Sequence, residues 1–203
     1  MDSYIFRRLS MLGHTGRFPV ILVALALVIL FALSPDAARA AEDDGFSQDE
    51  ILAKAKGFFG DTTEGLAKAI EHVFEDQGRP NGFVTGEEFS GAIGVGLRFG
   101  KGTLHRKSGE TRTLHWQGPS VGFDLGGNAS KVFVLVYHLG NSEQIYQRFP
   151  GVEGTFYFVA GVGVNYQKSG DIILAPIRTG VGLRAGANVG YLHYTKKRSW
   201  NPF

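Results

Sequence analysis

The sequence of 203 residues contains no cysteine. Disulfide bonds, thiol catalysis and thiolate-bound metal sites are therefore excluded. The fold has to be held by hydrophobic packing and by the hydrogen bonds of its secondary structure, and the chain is long enough for one domain with a real core.

The sequence also lacks an apolar run long enough to cross a membrane as a helix. Residues 20–33 form an unbroken apolar run of 14 residues, whereas a membrane-spanning helix needs roughly 20. Arg7 and Arg8 give a basic start, and a small-x-small pattern follows the run, so residues 1–40 are predicted to be a cleaved secretory signal peptide. The alternative is an uncleaved N-terminal anchor. The predicted cleavage site consists of Ala38, Ala40 and Ala41.

Charge is divided unevenly along the chain, although the formal net charge is only +2. Residues 41–78 contain ten Asp and Glu against three Lys, and residues 79–203 contain 14 Lys and Arg against seven Asp and Glu. Two interpretations stay open. The acidic and basic parts complement each other within the fold, or the basic part faces anionic phospholipid, lipopolysaccharide or another acidic envelope polymer.

An acidic linker is predicted over residues 41–46 and a helical segment over 47–78. Ser47 and Glu50 have the spacing of a capping box, and Asp61 is positioned to cap a second helix. The polar face of that helix is acidic, which favours packing on the rest of the protein over lying on an anionic membrane. Its apolar residues recur at helical spacing and are predicted to be buried: Leu66, Ala69, Ile70, Val73 and Phe74.

The pattern of residues 79–195 predicts a mainly β fold: a small antiparallel β-barrel of about nine or ten short strands, with the helical segment packed on it. Residues 196–203 are predicted to form a basic tail. The apolar runs 132–136 and 156–162 indicate strands covered on both faces. The predicted turns are 99–102, 107–110, 126–128, 140–142 and 168–171. The predicted strands are 92–99, 103–106, 111–116, 121–125, 131–138, 156–164, 172–178, 181–188 and 191–194.

Four of these strands carry glycines on one face and apolar residues on the other, because side chains alternate along a strand. Glycine weakens a strand, so repeated glycine needs a cause. Tight curvature with helices docked on the face is one cause, and a ligand groove is the other. If helices cover the face, at least one arginine should pair with Asp124, since a buried unpaired charge is strongly destabilising. The charged residues of this face are Arg98, Asp124, Arg178 and Arg184.

Motifs for catalysis are missing from the sequence. The glycine-rich stretch 91–96 does not lead from a strand into a helix, as a nucleotide-binding loop would. The histidines have no metal-ligand spacing, and no serine lies in a nucleophile elbow. Glu87 and Glu88 are adjacent, so they point to opposite faces of an extended strand. We predict a protein that is not an enzyme, with no cofactor, no metal and no nucleic-acid partner.

Cations on predicted turns and at the C-terminus are candidate contacts to lipid headgroups or lipopolysaccharide phosphates. The alternative is that they are ordinary solubilising charges. These residues are Lys101, Arg106, Lys107, Arg112, Lys196, Lys197 and Arg198.

The stretch 175–192 reads APIRTGVGLRAGANVGYL. It resembles the C-terminal signature of the envelope integrity protein A family, an alphaproteobacterial group, and the resemblance covers essentially the whole mature chain. It implies a periplasmic small β-barrel that supports envelope integrity and resistance to envelope stress, with no enzymatic activity.

A weaker resemblance links residues 116–120, WQGPS, to the Trp-x-x-Pro-Ser motif of the SYLF lipid-binding domain. As in that domain, a glycine-rich strand and an apolar strand follow. SYLF domains bind phosphoinositides partly through a basic N-terminal helix, and the helix here is acidic. Phosphoinositide binding therefore does not carry over, and lipid binding through the basic part stays open.

An integral outer-membrane barrel is the alternative from another class, because such barrels often end in phenylalanine, as this chain does at Phe203. The basic tail and Pro202 oppose it, since a lipid-facing strand should alternate apolar residues.

Overall fold

The computed structural model describes residues 45–60, 63–179 and 188–199, and for 90–96, 120–129 and 188–189 it describes the backbone alone. Outside this range lie the predicted signal peptide, residues 41–44 of the predicted linker, residues 181–187 of the predicted strand 181–188, and residues 200–203 of the predicted tail. So do three groups of sequence-predicted residues: the cleavage-site alanines Ala38, Ala40 and Ala41, Arg184, and the side chain of Asp124.

Two helices occupy the predicted helical segment: α1 (Gln48–Phe59) and α2 (Glu64–Gln77). The predicted capping box begins α1, with Ser47 N donating to Glu50 Oε2 at 2.7 Å and Glu50 N donating to Ser47 Oγ at 3.2 Å. The cap of α2 is Thr63, whose Oγ1 accepts from Leu66 N at 3.2 Å, in place of the predicted Asp61. Each helix ends at a glycine with positive φ, as helix C-termini commonly do.

Nine antiparallel strands of the described residues form one sheet. Two of them are very long, β1 (Gly82–Arg106) and β2 (Thr111–Tyr137). The others are β3 (Arg148–Pro150), β4 (Tyr157–Val159), β5 (Val162–Val164), β6 (Gln167–Ser169), β7 (Ile172–Thr179), β8 (Asn188–Val189) and β9 (Tyr191–Thr195).

The predicted turns at 99–102 and 126–128 are wrong, because both lie inside long strands. Gly100 pairs with Trp116 and Gly102 with Leu114, so the β1–β2 ladder runs through the predicted break. The predicted strand 156–164 is instead the hairpin β4–β5. Its turn residues, Ala160 and Gly161, have left-handed φ angles of 44° and 84°, which suit a two-residue hairpin turn.

The sheet curls into a barrel because β2 has different neighbours at its two ends. One end pairs with β9 and the other with β7, and a bridge between Gly151 and Gln167 brings the strands beyond them together. The two halves of β1 also approach each other. A Cβ atom on Gly102 would lie 2.5 Å from Thr85 O, so this approach requires glycine. The seam between the two halves of β1 is called the β1 seam below.

Apolar side chains form two cores, one on each face of the barrel wall. Val84, Leu104 and Leu174 belong to the cluster inside the barrel. Phe133 and Leu135 belong to the cluster between the barrel and the helices. The prediction that both faces of 132–136 are covered is therefore confirmed. For 156–162 it is wrong, since the side chains of Phe156 and Phe158 are 43% and 51% exposed.

Four of the five apolar residues predicted to be buried in the second helix are fully buried: Leu66, Ala69, Ile70 and Val73. Phe74 is only partly buried against the same cluster. The glycine-bearing face is not where the helices dock. Arg98 and Arg178 lie on the face that turns into the barrel, and the helices pack on the opposite face. The expectation that helices dock on the glycine-bearing face is therefore wrong.

The acidic helices and the basic barrel meet through an ion pair. Lys107 Nζ donates to both carboxylate oxygens of Glu50, at 2.8 and 3.0 Å. The hydrogen bond from Lys107 is the largest of the effects that lower the pKa of Glu50 to about 2. At this contact the two parts of the chain complement each other, as one of the two charge interpretations predicted.

Candidate functional site

A buried carboxylate, Glu88, lies inside the barrel and joins three strands. Arg178 Nε donates to Glu88 Oε1 at 3.0 Å, and Arg98 Nε lies 3.2 Å from the same oxygen. Trp116 Nε1 donates to Glu88 Oε2 at 3.0 Å, and Arg178 NH1 donates to Asn165 Oδ1 at 2.9 Å. We call these five side chains the Glu88 network.

Glu88 is ionised within this network. Burial raises its pKa most strongly, but the charges of Arg178 and Arg98, with the hydrogen bonds from Arg178 and Trp116, together hold the pKa below its ordinary value. A buried charge of this kind is tolerated because its oxygens are paired. The network therefore fixes the position of the Trp116 ring.

Sequence reasoning found the two arginines of this network but missed their partner. The sequence predicts Asp124 as the partner of at least one arginine if helices cover this face, and the side chain of Asp124 lies outside the described residues. Glu88 was considered only as half of an acid–base pair with Glu87. A usable signal was present, because Glu88 stands an even number of residues from Arg98 along one strand and so shares its face.

A cleft of about 610 Å³ runs along the outer surface of the β1 seam. Its strand residues Thr85, Glu87 and Lys101 alternate with Val84 and Leu104, which point into the barrel. The lining residues are Thr85, Gly86, Glu87, Phe89, Phe99, Gly100, Lys101, Gly102, Thr103, Thr113, His115, Trp116, Gln117, Arg198 and Ser199.

The Trp116 ring lies beneath the cleft, against the glycines of the seam, and is 2% exposed. A Cβ atom on Gly86 would lie 2.6 Å from Trp116 Cη2, and one on Gly100 would collide with the indole ring. Glycine at these two positions is therefore what lets the ring pack directly against the backbone under the cleft. Since Trp116 also binds Glu88, the buried network and the cleft form one connected site.

Two polar side chains of the cleft wall have nitrogen atoms without a partner among the described residues. Gln117 is 1% exposed, and its Nε2 has no hydrogen-bond acceptor in the described part of the chain. The buried Nδ1 of His115 is likewise unpaired there. Buried polar groups in proteins nearly always have a partner, so these atoms mark the cleft wall as polar and unsatisfied.

The predicted cation contacts separate into two groups. Lys101 and Arg198 line the cleft, and Lys197 is exposed beside Arg198. The remaining four serve the fold. Arg106 donates to Leu139 O at 2.6 Å, and Lys107 holds Glu50.

The other two pair with carboxylates near them in the barrel. Arg112 NH2 lies 2.7 Å from Glu110 Oε1, and Lys196 Nζ lies 2.5 Å from Glu143 Oε2. The four predicted cations between residues 101 and 112 therefore do not form a single anion-binding surface, because three of them already have partners in the fold.

Comparison with protein-family models matches residues 44–203 to the family described as envelope integrity protein A. The chain belongs to the envelope integrity protein A family. This confirms the family resemblance of the C-terminal stretch, and the family description associates the protein with the cell envelope. No curated protein matches the chain.

A solved structure supports the fold. The chain is similar to a crystal structure described as a β-barrel-like, uncharacterised protein from Brucella abortus, with 45% sequence identity and a TM-score of 0.72. The match covers 79% of this chain and 99% of the other. The mainly β, barrel-like architecture with packed N-terminal helices is thus confirmed, whereas the SYLF similarity stays a sequence prediction.

In residues 45–60, 63–179 and 188–199, no helix is long and apolar enough to cross a membrane. Within the same ranges, no group of three His, Asp or Glu side chains is placed to hold a metal ion.

Proposed function

We propose that this protein is an exported, non-catalytic periplasmic protein that maintains the envelope by binding phosphate groups of an envelope lipid. The observation that carries the proposal is that two of the predicted cations line one cleft. Lys101 and Arg198 line the same cleft, although they are far apart in the sequence.

Electrostatics supports this assignment. Each exposed cation near an anionic surface contributes about 1 kcal/mol of attraction, and salt screens it. Lys101 is exposed and has no ion-pair partner among the described residues, unlike Lys107, which holds Glu50. The phosphate could belong to a phospholipid or to the saccharide head of a lipopolysaccharide, and the experiment below separates these sources.

The distribution of apolar residues favours a periplasmic barrel over the integral outer-membrane alternative. Membrane-spanning barrels have an apolar band outside and a polar interior. Here Leu104 and Leu174 are buried in the interior, and the outward-facing Phe133 is covered by helices. Release of the protein by osmotic shock without detergent is the test, and a need for detergent would support the integral barrel.

Export predicts a processed chain. We expect protein isolated from the periplasmic fraction to begin at Ala41, because the segment before it has the features of a signal peptide. Intact mass and N-terminal sequencing measure this. A chain that still begins at Met1 in the envelope fraction would instead indicate an N-terminal anchor.

Binding to phosphate groups predicts salt-sensitive attachment to vesicles. We expect the protein to co-sediment with vesicles of phosphatidylglycerol at low salt, and to dissociate at about 0.5 M salt, where screening is short-ranged. The double variant Lys101→Gln/Lys197→Gln should bind at least several-fold more weakly. Vesicles of phosphatidylcholine with added lipopolysaccharide test the second source of phosphate.

The matched control is Lys168→Gln, which removes an exposed lysine on β6 outside the cleft. It should bind like the unmodified protein. Equal binding to pure phosphatidylcholine vesicles, or equal losses for the cleft and control variants, would contradict the proposal.

A further inference from the structure

We infer that the cleft over Trp116 is a saccharide site that takes a sugar bearing a phosphate group, which rests on the proposed binding of envelope phosphate. The cleft would then recognise the phosphorylated sugar head of a glycolipid, while the acyl chains stay outside it. Its volume of about 610 Å³ falls within the usual range for small-molecule sites, roughly 300–1,000 Å³.

The lining chemistry favours a sugar over an acyl chain as the occupant. Most residues around the cleft carry hydroxyl, amide, imidazole or charged groups, for example Thr103, Thr113 and Gln117. A hydrocarbon chain would offer no hydrogen bond to those polar groups that lack a partner, which is unfavourable. The hydroxyl groups of a sugar can both donate and accept such bonds.

Aromatic side chains of the cleft supply the apolar contact that a sugar ring needs. Phe89 and Phe99 both line the cleft, and Phe89 is 53% exposed although it is a large apolar side chain. The negative face of an aromatic ring attracts the slightly positive C–H groups on one face of a sugar ring. Exposure of Phe89 within a polar cleft is explained by such stacking.

The unpaired nitrogens of the wall fit hydroxyl groups in particular. Gln117 Nε2 can only donate a hydrogen bond, whereas His115 Nδ1 donates or accepts according to its tautomer. A hydroxyl group does both, so it satisfies either atom. A bare phosphate, which at neutral pH mainly accepts, would leave an accepting imidazole nitrogen unpaired.

Charges at the rim place the phosphate and a further hydroxyl. The exposed ammonium of Lys101 is suited to the phosphate, and Glu87, which also lines the cleft, is an acceptor for a sugar hydroxyl. The carboxylate of Glu87 would repel a bare anion bound beside it, whereas a sugar phosphate can place a hydroxyl group there and keep its phosphate at Lys101. The ring beneath the cleft is rigid because Glu88 holds Trp116, and a preformed site loses little entropy on binding.

The test uses the exported protein, labelled with ¹⁵N, and trehalose 6-phosphate as the probe. Trehalose and inorganic phosphate are titrated separately. We expect trehalose 6-phosphate to shift backbone amide signals of residues 85–87, 99–103 and 113–117, and to bind at least tenfold more tightly than inorganic phosphate. Phe89→Ala should weaken binding at least tenfold, and Phe89→Tyr should restore it.

The control is Phe156→Ala, because Phe156 is exposed to a similar extent outside the cleft, and its affinity should equal that of the unmodified protein. Two results would contradict the saccharide site but leave the proposed phosphate binding in place. In the first, inorganic phosphate binds as tightly as trehalose 6-phosphate. In the second, the probe shifts no amide signal of the cleft while the protein still binds phosphatidylglycerol vesicles. If neither vesicles nor any probe binds, the saccharide site and the proposed function both fail.

Discussion

Replacing Glu88 with glutamine is expected to lower the free energy of unfolding by about 3–5 kcal/mol, the usual cost of breaking a buried ion pair. The amide keeps the size of the side chain but removes its charge. The guanidinium of Arg178, 6% exposed, then loses its counter-charge inside the barrel. Urea unfolding followed by circular dichroism measures the change.

The effect of Glu88→Gln should depend on pH in a defined direction. The folded-state pKa of Glu88 lies below its ordinary value of 4.5. Ionisation of Glu88 therefore stabilises the fold above pH 4.5, and this stabilisation is lost as the pH falls through the folded-state pKa. The difference in the free energy of unfolding between the variant and the unmodified protein should therefore decrease below about pH 4.5.

The control for this experiment is Glu87→Gln. Glu87 is exposed on the opposite face of the same strand, and surface substitutions usually stay within about 0.5 kcal/mol. Equal stability of the two variants at neutral pH would show that Glu88 does not hold the barrel interior together.

Replacing Phe133 with alanine is expected to destabilise the protein by about 3–5 kcal/mol, because the change leaves a cavity in a packed core. Phe133 is fully buried between the barrel and the helices. Its ring lies 5.2 Å from that of Phe83 and 6.4 Å from those of Phe58 and Phe59. Thermal unfolding, with hydrogen exchange of α1 amides, measures both stability and helix attachment.

The matched control is Phe158→Ala, which removes a ring that is 51% exposed and should change stability little. If Phe133→Ala unfolds at the same temperature as the unmodified protein, the packing of the helices on the barrel does not contribute to its stability.

Local chemistry made several elements predictable from sequence. The Ser47–Glu50 capping box and the stop at Gly78 depend on residues within a few positions of each other, so the helix bounds could be placed closely. The burial of residues 132–136 in two cores could also be predicted, because a strand that is apolar at every position has to be buried on both faces.

The two long strands were not predictable in the same way. Glycines at 100 and 102 have the composition of a turn, but their role is to admit the Trp116 ring and the opposite half of β1. That role depends on residues distant in sequence. Four of the predicted cations were likewise taken up by carboxylates and carbonyls that only folding brings near them.

By itself, the sequence determined the class of protein: a cysteine-free, mainly β domain with an amphipathic helical segment, recognisable as a member of its family from residues 175–192. These properties follow from composition, periodicity and local spacing. Only the tertiary structure decided that Glu88 is the partner of Arg98 and Arg178, and that Lys101 and Arg198 share a cleft over Trp116. The physical reason is that strand periodicity assigns a side chain to a face, whereas its partners are set by how the sheet curls.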